Sequence, residues 1–276
     1  MGAACTWLQT RSLSCVSRTL ARCQLSLKRS RDHLRSPDPH YLAKLADIVQ
    51  ALEAAAASAG RRVVLFLDEF TFYRQPTNSV AWCRAQRDVQ PRAERSHQSD
   101  TCGRIIGALN ALTGATTTRL SSQITIRQLV QFWQALRAQY PDAEKIYVVV
   151  DNWPVHFHPD VLAALEPQET PWPLKTPAHW PSTPSAKAQR LQLPIQLLPL
   201  PTYASWCNPI EKFWRKLRQD LLHLHRWAAE WPTLKEKIQA FLDQFREASP
   251  DLLRYVGLTA NSKLFGALFV PKASPT

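Results

Sequence analysis

Two apolar runs of five residues, Val63–Leu67 and Ile146–Val150, each lead directly into an aspartate, Asp68 and Asp151. Continuous apolar runs of this length fit strands buried on both faces of a sheet, so the chain has to build a sheet and cover it with helices. Open α/β sheets place ligand sites in the crevice beyond such strand ends, where these carboxylates would emerge. Taken singly, either aspartate reads equally as a turn former or a helix cap.

The remaining pattern supplies the covering elements. Ser36-Pro37-Asp38-Pro39 reads as a break and helix start, with Asp38 as cap, Pro39 in the first helical position, and one face shared by Tyr41, Leu42, Leu45, Ile48, Val49 and Leu52 up to Gly60. Phe70–Arg74 and Val80–Arg84 read as short strands, and Gly103–Leu112 with Thr117–Ile126 as a hairpin turning at Thr113-Gly114. A helix over Thr125–Tyr140 carries Leu129, Phe132, Trp133 and Leu136, and a short one covers Pro159–Leu165. Prolines 167, 171, 173, 177, 181 and 184 make the stretch from 167 to 190 an irregular insertion. Leu193–Leu198 is a further strand, and Asn208-Pro209 caps a helix whose apolar stripe is Ile210, Phe213, Trp214, Leu217 and Leu221. The last helix starts at a capping box, Thr233–Glu236. Strands first, then alternating helix and strand, give an α/β fold with a mixed sheet. The expected divisions are a basic segment 1–36, a linker helix 37–60, a catalytic domain 61–250 and a tail 251–276.

Charge narrows the partner. Lys plus Arg number 34 against 22 Asp plus Glu, a net +12, which points to a polyanion, either nucleic acid or an acidic membrane surface. With 7 glycines there is no Gly-rich phosphate loop, and no apolar run is long enough to span a membrane. The six cysteines form no C-x-x-C or zinc-like pattern and read as reduced thiols, consistent with a cytoplasmic protein. The first 31 residues are free of acid. They also fit a transit peptide, and Met1–Thr6 fits a loose myristoylation pattern. On a helical wheel Arg11, Arg18 and Arg22 fall within about 40° of each other, opposite Leu13, Val16 and Leu20. This basic face is either a groove-reading second helix of a helix-turn-helix or a solvated surface.

Asp68, Asp151 and Glu211, gathered from two strand ends and a helix, can hold two divalent cations through oxygen ligands, with positions left for water and phosphate. Glu211 alone reads as favourable charge at a helix N-terminus. Arg215 and Arg218 lie one and two turns beyond it on the same face, and Lys212 adjoins them.

The strings Leu67-Asp68-Glu69, Val150-Asp151-Asn152 with His156 beyond, and Leu200–Trp214 resemble the signature of mariner-related bacterial insertion-sequence transposases. The resemblance covers about Ser14 to Leu221, the Leu200–Trp214 block being its most specific part. It implies a ribonuclease-H-like mixed sheet flanked by helices, two Mg²⁺ or Mn²⁺ ions, and DNA cleavage and strand transfer at element ends. It makes Asp68, Asp151 and Glu211 the catalytic, metal-binding Asp-Asp-Glu set, with Asn152 and His156 in supporting positions. Arg11, Arg18, Arg22, Lys212, Arg215 and Arg218 are then the DNA contacts. The partners implied are double-stranded DNA, at element ends and target, and a second copy when assembled on DNA, with a nucleoid-associated location in a bacterium. Of the family's helix-turn-helix only the last helix is legible, and the interval from Asp151 to Glu211 is longer than the family's, which the Pro-rich insertion accounts for. The competing readings are a DNA-binding remnant without catalysis and an unrelated Mg²⁺ nuclease of similar fold.

Overall fold

The strand that opens with the first apolar run does not end at Asp68. In the computed structural model, which describes residues 12–26, 36–85, 89–168, 171–173 and 176–259, β1 runs from Arg62 to Tyr73. Phe70–Arg74 is therefore its continuation, and Asp68 sits in mid-strand opposite Gly107. Alternation persists past the acidic pair, with Phe70 and Phe72 buried, and this carries the strand onward. Its antiparallel partner β2, Cys102–Asn110, pairs from Leu65↔Asn110 to Tyr73↔Cys102. β3, Thr116–Ser121, completes a meander, while β4, Lys145–Val150, and β5, Ile195–Pro199, add in parallel on the other side. The sheet order is β3-β2-β1-β4-β5. Val80–Arg84, expected as a strand, does not join this sheet. It forms no strand, and Val80 and Trp82 are 96% and 105% exposed.

Residues 1–35 and 36–276 form separate units. In the first, α1 spans Leu13–Arg22, capped by the Ser12 side chain, which accepts from Cys15 N–H; the helix buries none of its residues. Arg18 and Arg22 are exposed on it, whereas Arg11 lies outside the described residues.

In the second unit one core covers each sheet face. Val64, Phe66, Phe70 and Phe72 of β1 pack with α2 (Tyr41–Ala56), α5 (Ile210–Leu217), α6 (Trp231–Asp243) and α7 (Pro250–Val256). Val63, Leu65 and Leu67 face α3 (Ile126–Gln139) and α4 (Pro159–Leu162). α3 carries a capping box, Thr125 with Gln128. Among the described residues no helix is long and apolar enough to cross a membrane.

Four local expectations need correction. Asp38 is not the cap of α2, which is His40, and Leu42 is 60% exposed, because the helix face that reaches the sheet runs through Leu45, Ile48 and Leu52. Asp38 is instead buried, accepting from Lys44 Nζ (2.8 Å), His40 N–H (2.9 Å) and Thr202 N–H (2.8 Å). Burial opposes its charge, but these donors outweigh it and hold its pKa down at about 2. Asn208 does not cap α5 either, and the Thr233–Glu236 box is absent, since α6 starts a turn earlier at Trp231 and Thr233 Oγ1 donates to Glu230. Finally, α7 lies inside the expected tail, burying Leu252 and Val256.

The Pro-rich insertion leaves and returns through a narrow neck. Leu165 and Leu193 form an isolated bridge, with Glu166 N–H donating to Leu193 O and Leu193 N–H to Ala164 O. Its described residues between 171 and 190 hold no helix or strand, yet they are anchored. Trp172 Nε1 donates to Asp47 of α2, Trp180 packs edge-on to His158, and Asp160 accepts from Ser185.

Candidate active site

Successive side chains on a strand point to opposite faces, so Asp68 and Glu69 part company at once. Asp68 lies on the α5 side, where Trp214 Nε1 donates to its Oδ2 at 3.0 Å. That indole stacks on Phe70 and lies across Gly107, where an added Cβ would meet the ring at 2.6 Å. A side chain at 107 would push Trp214 away from Asp68, so glycine is required by space alone. Glu69 faces the other way, toward His156, in the short 3₁₀ turn Pro154–Phe157 after β4.

Asp151 sits just past the end of β4, at the sheet rim, and answers to both sides. Its Oδ1 accepts from Trp153 N–H and lies 3.3 Å from His156 Nε2, which is also 3.5 Å from Glu69 Oε1. The His156 side chain is wholly buried, and neither ring nitrogen nor Glu69 Oε1 reaches hydrogen-bond geometry. Glu69, Asp151 and His156 thus offer ligand atoms all within 4.8 Å of one another. This tight grouping is not the expected carboxylate set, and Glu69 was missed. The signal for it was the adjacent Asp-Glu pair, since a strand must send one of the two to the face that holds His156.

Asp68, Asp151 and Glu211 are nonetheless electrostatically linked. Burial, joined by the charges of Glu69, Glu211 and Asp151, raises the pKa of Asp68 to about 7. Glu69 also rises to about 7, through burial and the Asp151 charge against the opposing pull of His156. Glu211 is raised by burial and Asp151, although Arg215, Arg218 and the Ser205 hydroxyl pull it down. Asp151 is only half-buried; partial burial raises its pKa, but His156 and Trp153 N–H keep it below the ordinary carboxylate value. Burial disfavours a charged His156, yet Glu69 and Asp151 leave its pKa raised.

Two asparagines brace the frame. Asn208 Nδ2 donates to Leu67 O, tying the entry of α5 to β1 beside Asp68, and Asn152 Nδ2 donates to Leu200 O, tying β4 to the exit of β5. The basic residues divide. Arg215 and Arg218 are exposed, Arg218 lying over the Phe70 ring at 4.8 Å, whereas Lys212 Nζ donates to Val256 O and is committed to α7.

Residues 63–235 match the DDE superfamily endonuclease family, more than half of the chain. The chain belongs to this family. The chain is 24% identical over 228 residues to the uncharacterized 39 kDa protein of insertion element IS630 from Shigella sonnei, across 83% of its own length. It spans 57% of that relative. Its fold is similar to the Mos1 mariner transposase, with a TM-score of 0.57 to the paired-end complex with Mn at 13% identity, covering 92% of this chain and 69% of that one. For the Mos1 paired-end complex with the left transposon end the TM-score is 0.55 at 13% identity, covering 89% and 66%. The mixed sheet flanked by helices is accordingly ribonuclease-H-like.

The crowding of carboxylates has a pH signature in the metal-free protein. Folded-state pKa values of Asp68 and Glu69 near 7, above the ordinary 3.8 and 4.5, favour the protonated folded form, so stability falls as pH rises from about 4 to about 7. The raised His156 acts in the same sense, its contribution being lost as pH rises through its folded-state value. The lowered Asp151 acts oppositely, giving stability that is lost in acid. Denaturant titrations with chelator should show the neutral-side decline, and Mg²⁺ should remove it. A metal-free stability that stays level across that window would contradict the crowding.

Proposed function

We propose that this chain is the catalytic part of a DNA transposase that cuts and rejoins DNA strands at insertion-element ends, with Asp68, Asp151 and Glu211 holding two Mg²⁺ or Mn²⁺ ions. The observation that carries the reading is the match of residues 63–235 to the DDE endonuclease family, within which Asp68 on β1, Asp151 past the end of the neighbouring β4 and Glu211 in the first turn of α5 interact in charge. The donor set fits such ions: hard oxygen ligands, two acids, Asp68 and Glu69, raised to about 7 by burial and neighbouring carboxylates, and buried ligand atoms of Glu69 and His156 without hydrogen-bond partners beside Asp151. Bound divalent ions would supply Lewis acidity at phosphorus and activation of the attacking hydroxyl.

The chain's own residues set the geometry. Trp214 Nε1 donates to Asp68 Oδ2 and so fixes the orientation of that carboxylate. His156 draws Glu69 and Asp151 together from β1 and from the end of β4, fixing Asp151 relative to its neighbour strand. Ser205 orients the Glu211 carboxylate. The net charge of +12 supports a DNA substrate, and Arg215 and Arg218, exposed beside Glu211, would meet phosphates flanking the scissile bond. Arg18 and Arg22 on α1 would add backbone contacts, and two copies would assemble on paired ends.

The test is nicking of supercoiled plasmid with Mn²⁺ or Mg²⁺, stopped by chelator. Replacing Arg215 and Arg218 together with alanine should weaken DNA binding alike across sequences and reduce the slope of log K against log salt by about 2. An unchanged slope would remove both arginines from the interface.

A further inference from the structure

Tyr203 stands in a conformation that its surroundings do not repay. It occupies the third position of the turn Pro201–Ala204, closed by Ala204 N–H donating to Pro201 O, with φ at +54°. Glycine or asparagine is favoured at such a position, because a Cβ is strained there. A buried ring could offset that strain, but the Tyr203 residue is 80% exposed. The turn is also firmly mounted. Ser36 Oγ donates to Thr202 O, Thr202 N–H donates to Asp38 Oδ2, and the same Asp38 oxygen holds buried Lys44. Two residues on, the Ser205 side chain is among the groups that lower the pKa of Glu211. An aromatic ring is thus held out to solvent on a rigid pedestal, at the entry to the helix that carries Glu211. Retained backbone strain without a packing reward is found where a side chain is needed for function.

We propose that Tyr203 is a stacking platform for an unpaired base of the DNA strand at the cut end. This rests on the transposase reading above. Within a duplex both faces of a base are already covered by its neighbours, so an exposed ring finds a free face only where the strand is frayed or severed. That condition arises beside the carboxylate site.

The experiment uses the full chain, a short duplex with a single-stranded overhang carrying a fluorescent purine analogue, and the matching blunt duplex. Wild-type protein should bind the overhang duplex and quench the analogue. Tyr203→Gly should raise the melting temperature by relieving the strain, yet abolish quenching and weaken overhang binding about tenfold, ~1.4 kcal/mol. Blunt-duplex binding should not change. Tyr203→Phe should behave as wild type, since stacking needs the ring and not the hydroxyl. Equal quenching by wild type and Tyr203→Gly overturns the proposal and leaves the transposase reading intact, as does a Tyr203→Phe variant as defective as Tyr203→Gly. A wild-type chain that binds neither duplex overturns both.

Discussion

Asp151→Asn is expected to lower Mn²⁺-dependent DNA cleavage by about a thousandfold or more, equivalent to ~4 kcal/mol of barrier. The size follows from position. Asp151 is coupled in charge to Asp68 and Glu211, and its Oδ1 also lies 3.3 Å from His156 Nε2. Asparagine keeps an oxygen for Trp153 N–H but removes the charge that a divalent ion would need. The same substitution should remove the metal-induced rise in stability, which for wild type at a hundred times the dissociation constant is about 2.7 kcal/mol. Calorimetry with and without Mg²⁺, beside a plasmid-nicking assay, reads both. Cleavage within tenfold of wild type would remove Asp151 from the reaction.

Trp214→Ala is expected to cost about 3–5 kcal/mol of folding stability, as for large aromatic truncations in cores. The indole is 2% exposed, stacks on Phe70, packs beside Phe213 and fills the space above Gly107. Trp214→Phe separates packing from polarity. It keeps most of the contact area but loses the Nε1 donor to Asp68, and should cost about 1 kcal/mol while allowing Asp68 to rotate. The measurement is urea unfolding for each variant together with Mn²⁺ titration. If Trp214→Phe binds Mn²⁺ as wild type does, the indole only packs and does not orient Asp68.

The sheet was legible because its two central strands are unbroken apolar runs, and the helices because their apolar residues recur at three and four. What was not legible came from competition among neighbours. The end of β1 could not be read from the acidic pair, because β2 pairs with it as far as Tyr73 regardless of charge. Asp38 and Asn208 have the local chemistry of caps, but each is recruited by a distant partner, Thr202 N–H and Leu67 O respectively. Such recruitment depends on tertiary position, which spacing does not encode. The same holds for Lys212, whose place beside Arg215 concealed its bond to Val256 O. Of the proposed site, Asp68, Asp151, Glu211 and His156 were named from their strings, whereas Glu69 required knowing that Asp68 and Glu69 look out from opposite faces of one strand.

The neck at Leu165 and Leu193 separates the length of the chain from the geometry of the rim. β4 and β5 are already in register, Ile146↔Ile195 through Val150↔Pro199, and the bridge closes the excursion between them, which Trp172, Trp180 and Ser185 fasten to the surface. Lengthening that excursion costs only the slow logarithmic growth of loop entropy. The segment from 167 to 190 is thus a natural port for grafting a tag, a fluorophore or a whole targeting module. One added residue within β1 has the opposite consequence, for it would exchange the outlooks of Asp68 and Glu69 and disassemble the site without unfolding the sheet.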